Sequence, residues 1–213
     1  MDRINSNILK IKNCLPNKVG IVAATKSRSI EEIKSAVNAG IKIIGESYVK
    51  EAKEKYPFIR GLAEIHMIGH LQSNKVKDAV RIFDMIQTLD SLKLAKEINK
   101  KSGKRMPVLV EVNIGMEKKK TGILPSDVES FLNDVSSFEN IKVKGLMAMG
   151  PYFKDREEYR HLFRKMKNIF DSVKNKRIMN ISMEILSMGM SESYKIAAEE
   201  GANMVRIGKS IFE

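Results

Sequence analysis

VGIVAATKSRSIEEIKSAVNAGIKIIGESYVKEAKEK, Val19–Lys55, shows the fold in miniature. An apolar run at Val19 to Thr25 reads as a strand. It is followed by an amphipathic helical segment, Ser29 to Asn38, in which Ser29 stands three residues before Glu32 as a capping box. Gly40 sits where a left-handed helix cap belongs, a second apolar run follows at Ile41 to Gly45, and a second helical pattern covers Glu46 to Lys55. Strands separated by a helix are parallel strands joined by a right-handed crossover.

The same alternation extends in both directions. Further apolar runs lie at Glu64 to Ile68, Phe83 to Gln87, Pro107 to Asn113, Val143 to Met149, Ser182 to Leu186 and Asn203 to Ile207. Helical patterns lie at Ser91 to Lys101, Ser126 to Ser137, Arg156 to Lys174 and Ser191 to Glu200. Ser126, three residues before Glu129, and Ser191, before an acidic turn, read as further caps, and Gly201 as a further left-handed terminus. About eight such units close naturally into an α/β (β/α)8 TIM-type barrel. An open doubly wound sheet is the alternative, and the GxGxxG signature that would favour it is absent. No linker or composition break divides the 213 residues, so one domain, 1–213, is expected.

Composition narrows the function classes. Hydrophobic residues make up 43% and charged residues 30%, which fits a globular core and argues against general disorder. The one cysteine, Cys14, can form no internal disulfide, which points to a reducing cytoplasm. No segment approaches the roughly 18 consecutive apolar residues of a membrane helix, and MDRINSNILKIKN has no signal-peptide core. The formal charge of +12 raises nucleic acid as a partner, but the cations are scattered apart from Lys118 to Lys120 and Lys174 to Arg177. With 6% aromatics and no Trp to offer a stacking platform, a lysine-rich solvated surface and no nucleic-acid partner are expected.

A barrel places its chemistry beyond the carboxyl ends of its strands. The residues there are Lys26, Glu46, Gly69 to Lys75, Asn113, Met147 to Gly150, Ser187 to Ser191 and Arg206 to Ser210. Lys26 reads either as a solvated lysine or as a partly desolvated amine suited to attack on an aldehyde. LSMGMSES and MVRIGKSIF, with Ser191 and Gly208, read either as tight turns or as a phosphate cradle after strands seven and eight. Arg206, inside a strand run, needs a partner: a structural carboxylate or a heteroaromatic ligand nitrogen. Met147, Met149, Met188 and Met190 read as core filler or as walls for a flat ligand. His66 and His70 lack the carboxylate set of a metal site, and neither GxSxG nor GxxxxGK[ST] occurs.

VAATKS, IGESYVKE, IHMIGHLQSNK, VEVNI, KTG, KGLMAM, LSMGMSES and MVRIGKSIF, in this order, resemble the pyridoxal phosphate homeostasis family, also called the YggS or PROSC family. The resemblance covers almost the whole chain and implies the barrel of the alanine racemase N-terminal domain. It implies that Lys26 binds pyridoxal 5'-phosphate as a Schiff base. It further implies that Ser191, with the backbone at Gly208 and Lys209, holds the phosphate and that Arg206 faces the pyridine nitrogen. Asn113 and Met147 are added as candidate contacts because they fall on the rim. Ser47 stands where the family usually carries Asn, Lys209 where Thr is typical, and Glu213 where Gly is usual. The Lys209 ammonium can replace a lost hydroxyl contact to phosphate.

The expected function is therefore cytoplasmic vitamin B6 and amino-acid homeostasis by a monomeric cofactor carrier that serves apoenzymes. The rival is a weak amino-acid racemase on the same cofactor. Racemases of this fold add a second domain and a tyrosine base, which a chain ending at Glu213 is not expected to supply.

Overall fold

The structure, a computed structural model, describes residues 2–176 and 178–213. Arg177, the end of one basic run, lies outside the described residues. Eight parallel strands close into a barrel in sequence order: β1 (Gly20–Ala24), β2 (Ile43–Glu46), β3 (Glu64–Met67), β4 (Met85–Leu89), β5 (Met106–Val112), β6 (Ile141–Ala148), β7 (Ile181–Ser187) and β8 (Met204–Ile207). Closure is by β1 on β8, with Val22 opposite Arg206. The (β/α)8 expectation is met, and each expected apolar run contains or overlaps a strand.

The surrounding helices are α1 (Arg3–Asn13), α2 (Ile30–Asn38), α3 (Val49–Ile59), α4 (Val76–Ile82), α5 (Leu92–Lys101), α6 (Val128–Val135), α7 (Glu158–Lys174), α8 (Tyr194–Glu199) and α9 (Lys209–Phe212). The capping box of α2 forms as expected: Ser29 Oγ accepts from Glu32 N–H, and Glu32 accepts from Ser29 N–H. Gly40 and Gly201 adopt the positive φ of helix termini, +89° and +95°.

Four boundaries differ from the sequence reading, each for a local reason. Glu46 pairs with Met67 in the sheet, so α3 starts only at Val49. Ser126 sits in a 3-10 turn and donates to Asp127 Oδ1 instead of capping, which delays α6 to Val128. Arg156 lies in a turn, its carbonyl accepting from Tyr159 N–H, and α7 begins at Glu158. Ser191 also lies ahead of its helix: the N–H groups of Ser193 and Tyr194 both bond Met190 O, closing a turn before α8.

Three helices went unread, α1, α4 and α9. The first fills the gap between α9 and α2, burying Ile4, Ile8 and Ile11 with Val205, Ile211 and Phe212. Arg3 Nη2 and Asn7 Nδ2 donate to the carbonyls of Phe212 and Ile211, at 2.7 and 3.1 Å. These bonds tie both ends of the chain beside β8.

A large apolar cluster lies between strands and helices, with Ile44, Ile86, Val110 and Leu146 facing Leu94, Leu132 and Phe163. Inside the barrel the packing divides into two smaller clusters, Val22, Ile68 and Met204, and Met85, Leu109 and Met147. Burying side chains of this size contributes about 1.5–3 kcal/mol each.

Candidate functional site

At the carboxyl end of the strands a cavity of about 630 Å3 opens over β8 and the turn before α8. Its wall includes Ala24, Ser47, Ile68, Met149, Met190, Ser191, Arg206, Gly208 and Lys209, with the buried Tyr159 behind it and Lys120 and Tyr152 toward the outside. A second cavity of about 560 Å3 shares Ser47, Ile68 and Met149 with it and is lined by Lys26, Tyr48, His70 and Lys75. Four of the expected residues, Ser191, Arg206, Gly208 and Lys209, thus meet in one cavity, and Lys26 lines its neighbour.

Local chain geometry explains the cradle. Gly189 has φ +92°, and a Cβ there would lie 2.5 Å from that of Ala197, so the turn leading to Ser191 needs glycine. At Gly208, a Cβ would press on Ala24 O at 3.3 Å, at the carboxyl ends of β1 and β8. Ser191 Oγ accepts from Ser210 N–H at 3.3 Å, which joins the two loops. Lys209, as the first residue of α9, has an N–H that no intrahelical carbonyl can accept. A donor left at this position suits an anion.

Arg206 is 4% exposed and satisfies the expectation of partners with two carbonyls and a hydroxyl rather than a bonded carboxylate. Its Nη1 donates to Ser187 O at 3.0 Å and Ser187 Oγ at 2.7 Å, and Nη2 to Ala148 O at 2.8 Å. Burial pushes the guanidinium down to about 10, opposed by the negative field of Glu111.

Of the two readings of Lys26, the structure takes the solvated one. Its side chain is exposed, not partly desolvated, and Nζ stands 5.2 Å from the Tyr48 ring centroid in a cation–π contact. The loop beneath it is held firmly. Lys55, buried on α3, donates to Thr25 O at 2.7 Å, Glu46 Oε1 at 2.9 Å and Glu51 Oε1 at 2.7 Å. Thr25 Oγ1 donates to Glu46 Oε1 at 2.7 Å, and Ser27 N–H, from a residue at φ +59°, donates to Glu51 Oε1 at 2.6 Å. Residues on both sides of Lys26 are therefore fixed while its own amine is left free.

Glu46, expected on the rim, is instead wholly buried, and loss of hydration raises its carboxyl above the usual range despite Thr25 and Lys55. Asn113 does not line the cavity. Its Nδ2 donates to Glu117 O at 2.9 Å and its Oδ1 accepts from Glu117 N–H at 3.1 Å, so the amide organises its own loop. Met147 is fully buried within the barrel, and Met188 faces the helices; of the four methionines, Met149 and Met190 reach the cavity. The sequence reading missed Lys55 and Glu51, whose only trace was a charged helix following GESYV, and Gln87, which looked like the end of a strand.

Comparison with known proteins adds the family context. The family model described as the alanine racemase N-terminal domain matches residues 1–213. The pyridoxal phosphate homeostasis protein of Aquifex aeolicus is 38% identical over 200 residues, covering 92% of this chain and 87% of the relative. That of Haemophilus influenzae is 34% identical over 209 residues, covering 95% and 88%. Among solved structures, PipY of Synechococcus elongatus with PLP bound aligns with a TM-score of 0.89 at 27% identity, covering 99% of this chain and all, 100%, of that one. Alanine racemase of Corynebacterium glutamicum shares the fold alone, with a TM-score of 0.80 at 12% identity over 60% of its length.

Proposed function

The chain belongs to the pyridoxal phosphate homeostasis family, the YggS or PROSC family, and we propose that it carries pyridoxal 5'-phosphate on Lys26. The observation that carries this reading is one cavity uniting Arg206, Ser191 and the Gly208–Lys209 backbone beside the cavity of Lys26. The residues present fit the group. The volume is that of a small-ligand site, the orphan Lys209 N–H suits a phosphate, and the two N–H groups Arg206 does not spend internally suit a ring nitrogen. Bound there, the cofactor supplies an aldehyde that condenses with an amine, a C=N bond forming as water leaves, and a ring that draws electrons.

In this reading each residue has one task. Lys26 provides the amine. Ser191 and the backbone of Gly208 and Lys209 receive the phosphate, with the exposed Lys209 ammonium adding charge. Arg206 donates to the ring nitrogen and disfavours its protonation, which weakens the ring as an electron sink and favours storage over turnover. Asn113 and Met147 support from outside the cavity, one by shaping a loop and the other by filling the interior. The whole chain, 1–213, acts as a single domain. It works as a monomer in the cytoplasm, where the exposed thiol of Cys14 stays reduced, and passes cofactor to apoenzymes. No helix among the described residues is long and apolar enough to cross a membrane.

Borohydride reduction of the loaded protein followed by mass spectrometry tests attachment. The expected result is a mass increment on the peptide containing Lys26, absent in Lys26→Ala. An increment elsewhere, with none on Lys26, rejects the assignment. Sustained turnover of alanine that disappears in Lys26→Ala would instead establish the racemase.

A further inference from the structure

A line of hydrogen bonds that cofactor attachment does not require runs through the barrel interior. From Arg206, Nη1 donates to Ser187 Oγ at 2.7 Å; Ser187 Oγ donates to Gln87 Oε1 at 2.8 Å. Gln87 Nε2 meets His66 Nδ1 at 2.9 Å, and His66 Nε2 meets Glu64 Oε2 at 3.1 Å. Ser187, Gln87 and His66 are buried, whereas the Glu64 side chain is 65% exposed at the start of β3. The line therefore connects the cofactor cavity with solvent at the opposite end of the barrel.

Its polarity follows from the guanidinium and from the placement of the Gln87 amide. A guanidinium donates and never accepts, so Ser187 Oγ accepts from Arg206, and with the Gln87 carbonyl oxygen facing it the hydroxyl gives its own proton to Oε1. That leaves the Gln87 amide to donate to His66 Nδ1, and His66 Nε2–H to donate to the Glu64 carboxylate. The hydrogen bond from His66 holds that carboxyl below its usual range, as expected of an acceptor.

We infer that Gln87 and Ser187 are positioning residues for Arg206, an inference that rests on the proposed contact between Arg206 and the ring nitrogen. Arg206 spends three of its five N–H groups on Ser187 Oγ, Ser187 O and Ala148 O. Those three bonds set the guanidinium plane and thereby aim the remaining two N–H groups. The carbonyls are held by the sheet. The hydroxyl can rotate, and Gln87 Oε1 is the acceptor that stops it. Without Gln87 the Ser187 proton loses its partner, and the hydroxyl is free to turn its lone pairs away from Arg206. The cavity would then present the same atoms in a less defined orientation.

The test uses the full chain loaded with pyridoxal 5'-phosphate and compares Gln87→Met, Ser187→Ala, Arg206→Gln and the Gln87→Met/Arg206→Gln pair. Methionine matches glutamine in length and lacks the amide; Ser187→Ala keeps the carbonyl and serves if Gln87→Met does not fold. The readouts are the visible absorption band of the bound cofactor and its retention on dialysis. Gln87→Met and Ser187→Ala should move the band in the same direction as Arg206→Gln and weaken retention on the order of tenfold. Gln87→Met should add nothing in the Arg206→Gln background. If Arg206→Gln moves the band while the other two leave it in place, the inference fails even where melting temperature falls, since a merely structural role predicts that pattern. Additive effects in the double variant overturn it equally. A band unmoved by Arg206→Gln removes the ring-nitrogen assignment itself, and the inference with it.

Discussion

Two buried carboxylates stand at different corners of the barrel mouth, and their surroundings diverge. Glu46, at the end of β2, receives Thr25 Oγ1 at 2.7 Å and Lys55 Nζ at 2.9 Å. Glu111, in β5, receives Thr121 Oγ1 at 3.2 Å and has no directly bonded cation. Each retains one buried oxygen without a hydrogen-bond partner, Oε2 in both cases. Burial raises both carboxyls, and a neighbouring carboxylate adds repulsion at each, Glu51 at Glu46 and Asp90 at Glu111; Thr25 and Lys55 oppose it at the first, and the Thr121 hydrogen bond with the fields of Arg206 and His70 at the second. The first corner spends its charge on holding the Lys26 loop. The second keeps a poorly compensated charge close to Arg206. One corner supplies rigidity, and the other adds a negative field at Arg206.

Removing the cation should break this distinction most severely. Lys55→Met leaves Glu46 buried without its counter-charge, a change that costs about 3–5 kcal/mol. It also frees Thr25 O and Glu51 from their common anchor. Urea unfolding should show that loss, and cofactor attachment at Lys26 should slow; a loss under about 1 kcal/mol would mean that the pair does not organise the corner. The two threonines sharpen the comparison at smaller scale. Thr25→Val removes a short, fully buried bond to a carboxylate and should cost about 2 kcal/mol. Thr121→Val removes a longer bond from an exposed loop residue and should cost under about 1 kcal/mol. Equal losses would erase the difference between the corners.

How far the sequence could be read follows the same physical division. Strands buried on both faces appear as apolar runs, so the eight-strand order and closure were legible from Val19 to Ile207. The two turns at the mouth were legible because Gly189, Ser191 and Gly208 act through backbone geometry that sequence records directly. Long-range side-chain pairing was not. Nothing local links Gln87 to Ser187, 100 residues later, or distinguishes Lys55 from the many surface lysines. The helix α1 was readable in principle, since Ile4, Ile8 and Ile11 mark one helical face, but a terminal segment carries little weight until its partner surface is known. Glu46 was misplaced because the residue after GIKIIG can equally end a strand or begin a helix.

The smallest effect concerns pH and probes the unpaired corner directly. Loss of hydration first, then repulsion from Asp90, keeps the Glu111 carboxyl protonated in the folded protein to higher pH than in the unfolded chain. Over that interval the folded state holds a proton that the unfolded state has already released. Stability is therefore greatest below the ordinary carboxylate range and declines as pH rises through the elevated folded value, after which Glu111 contributes no further slope. Glu111→Gln preserves an acceptor for Thr121 and removes the titrating group. The stability difference between variant and parent should thus shift steadily toward the variant as pH rises across that interval, whatever its starting sign at acid pH. Urea titrations at a series of pH values would show the variant's curve gaining steadily on the parent's across that interval. Parallel curves would mean that Glu111 has an ordinary carboxyl and that solvent reaches this corner as freely as it reaches the rim.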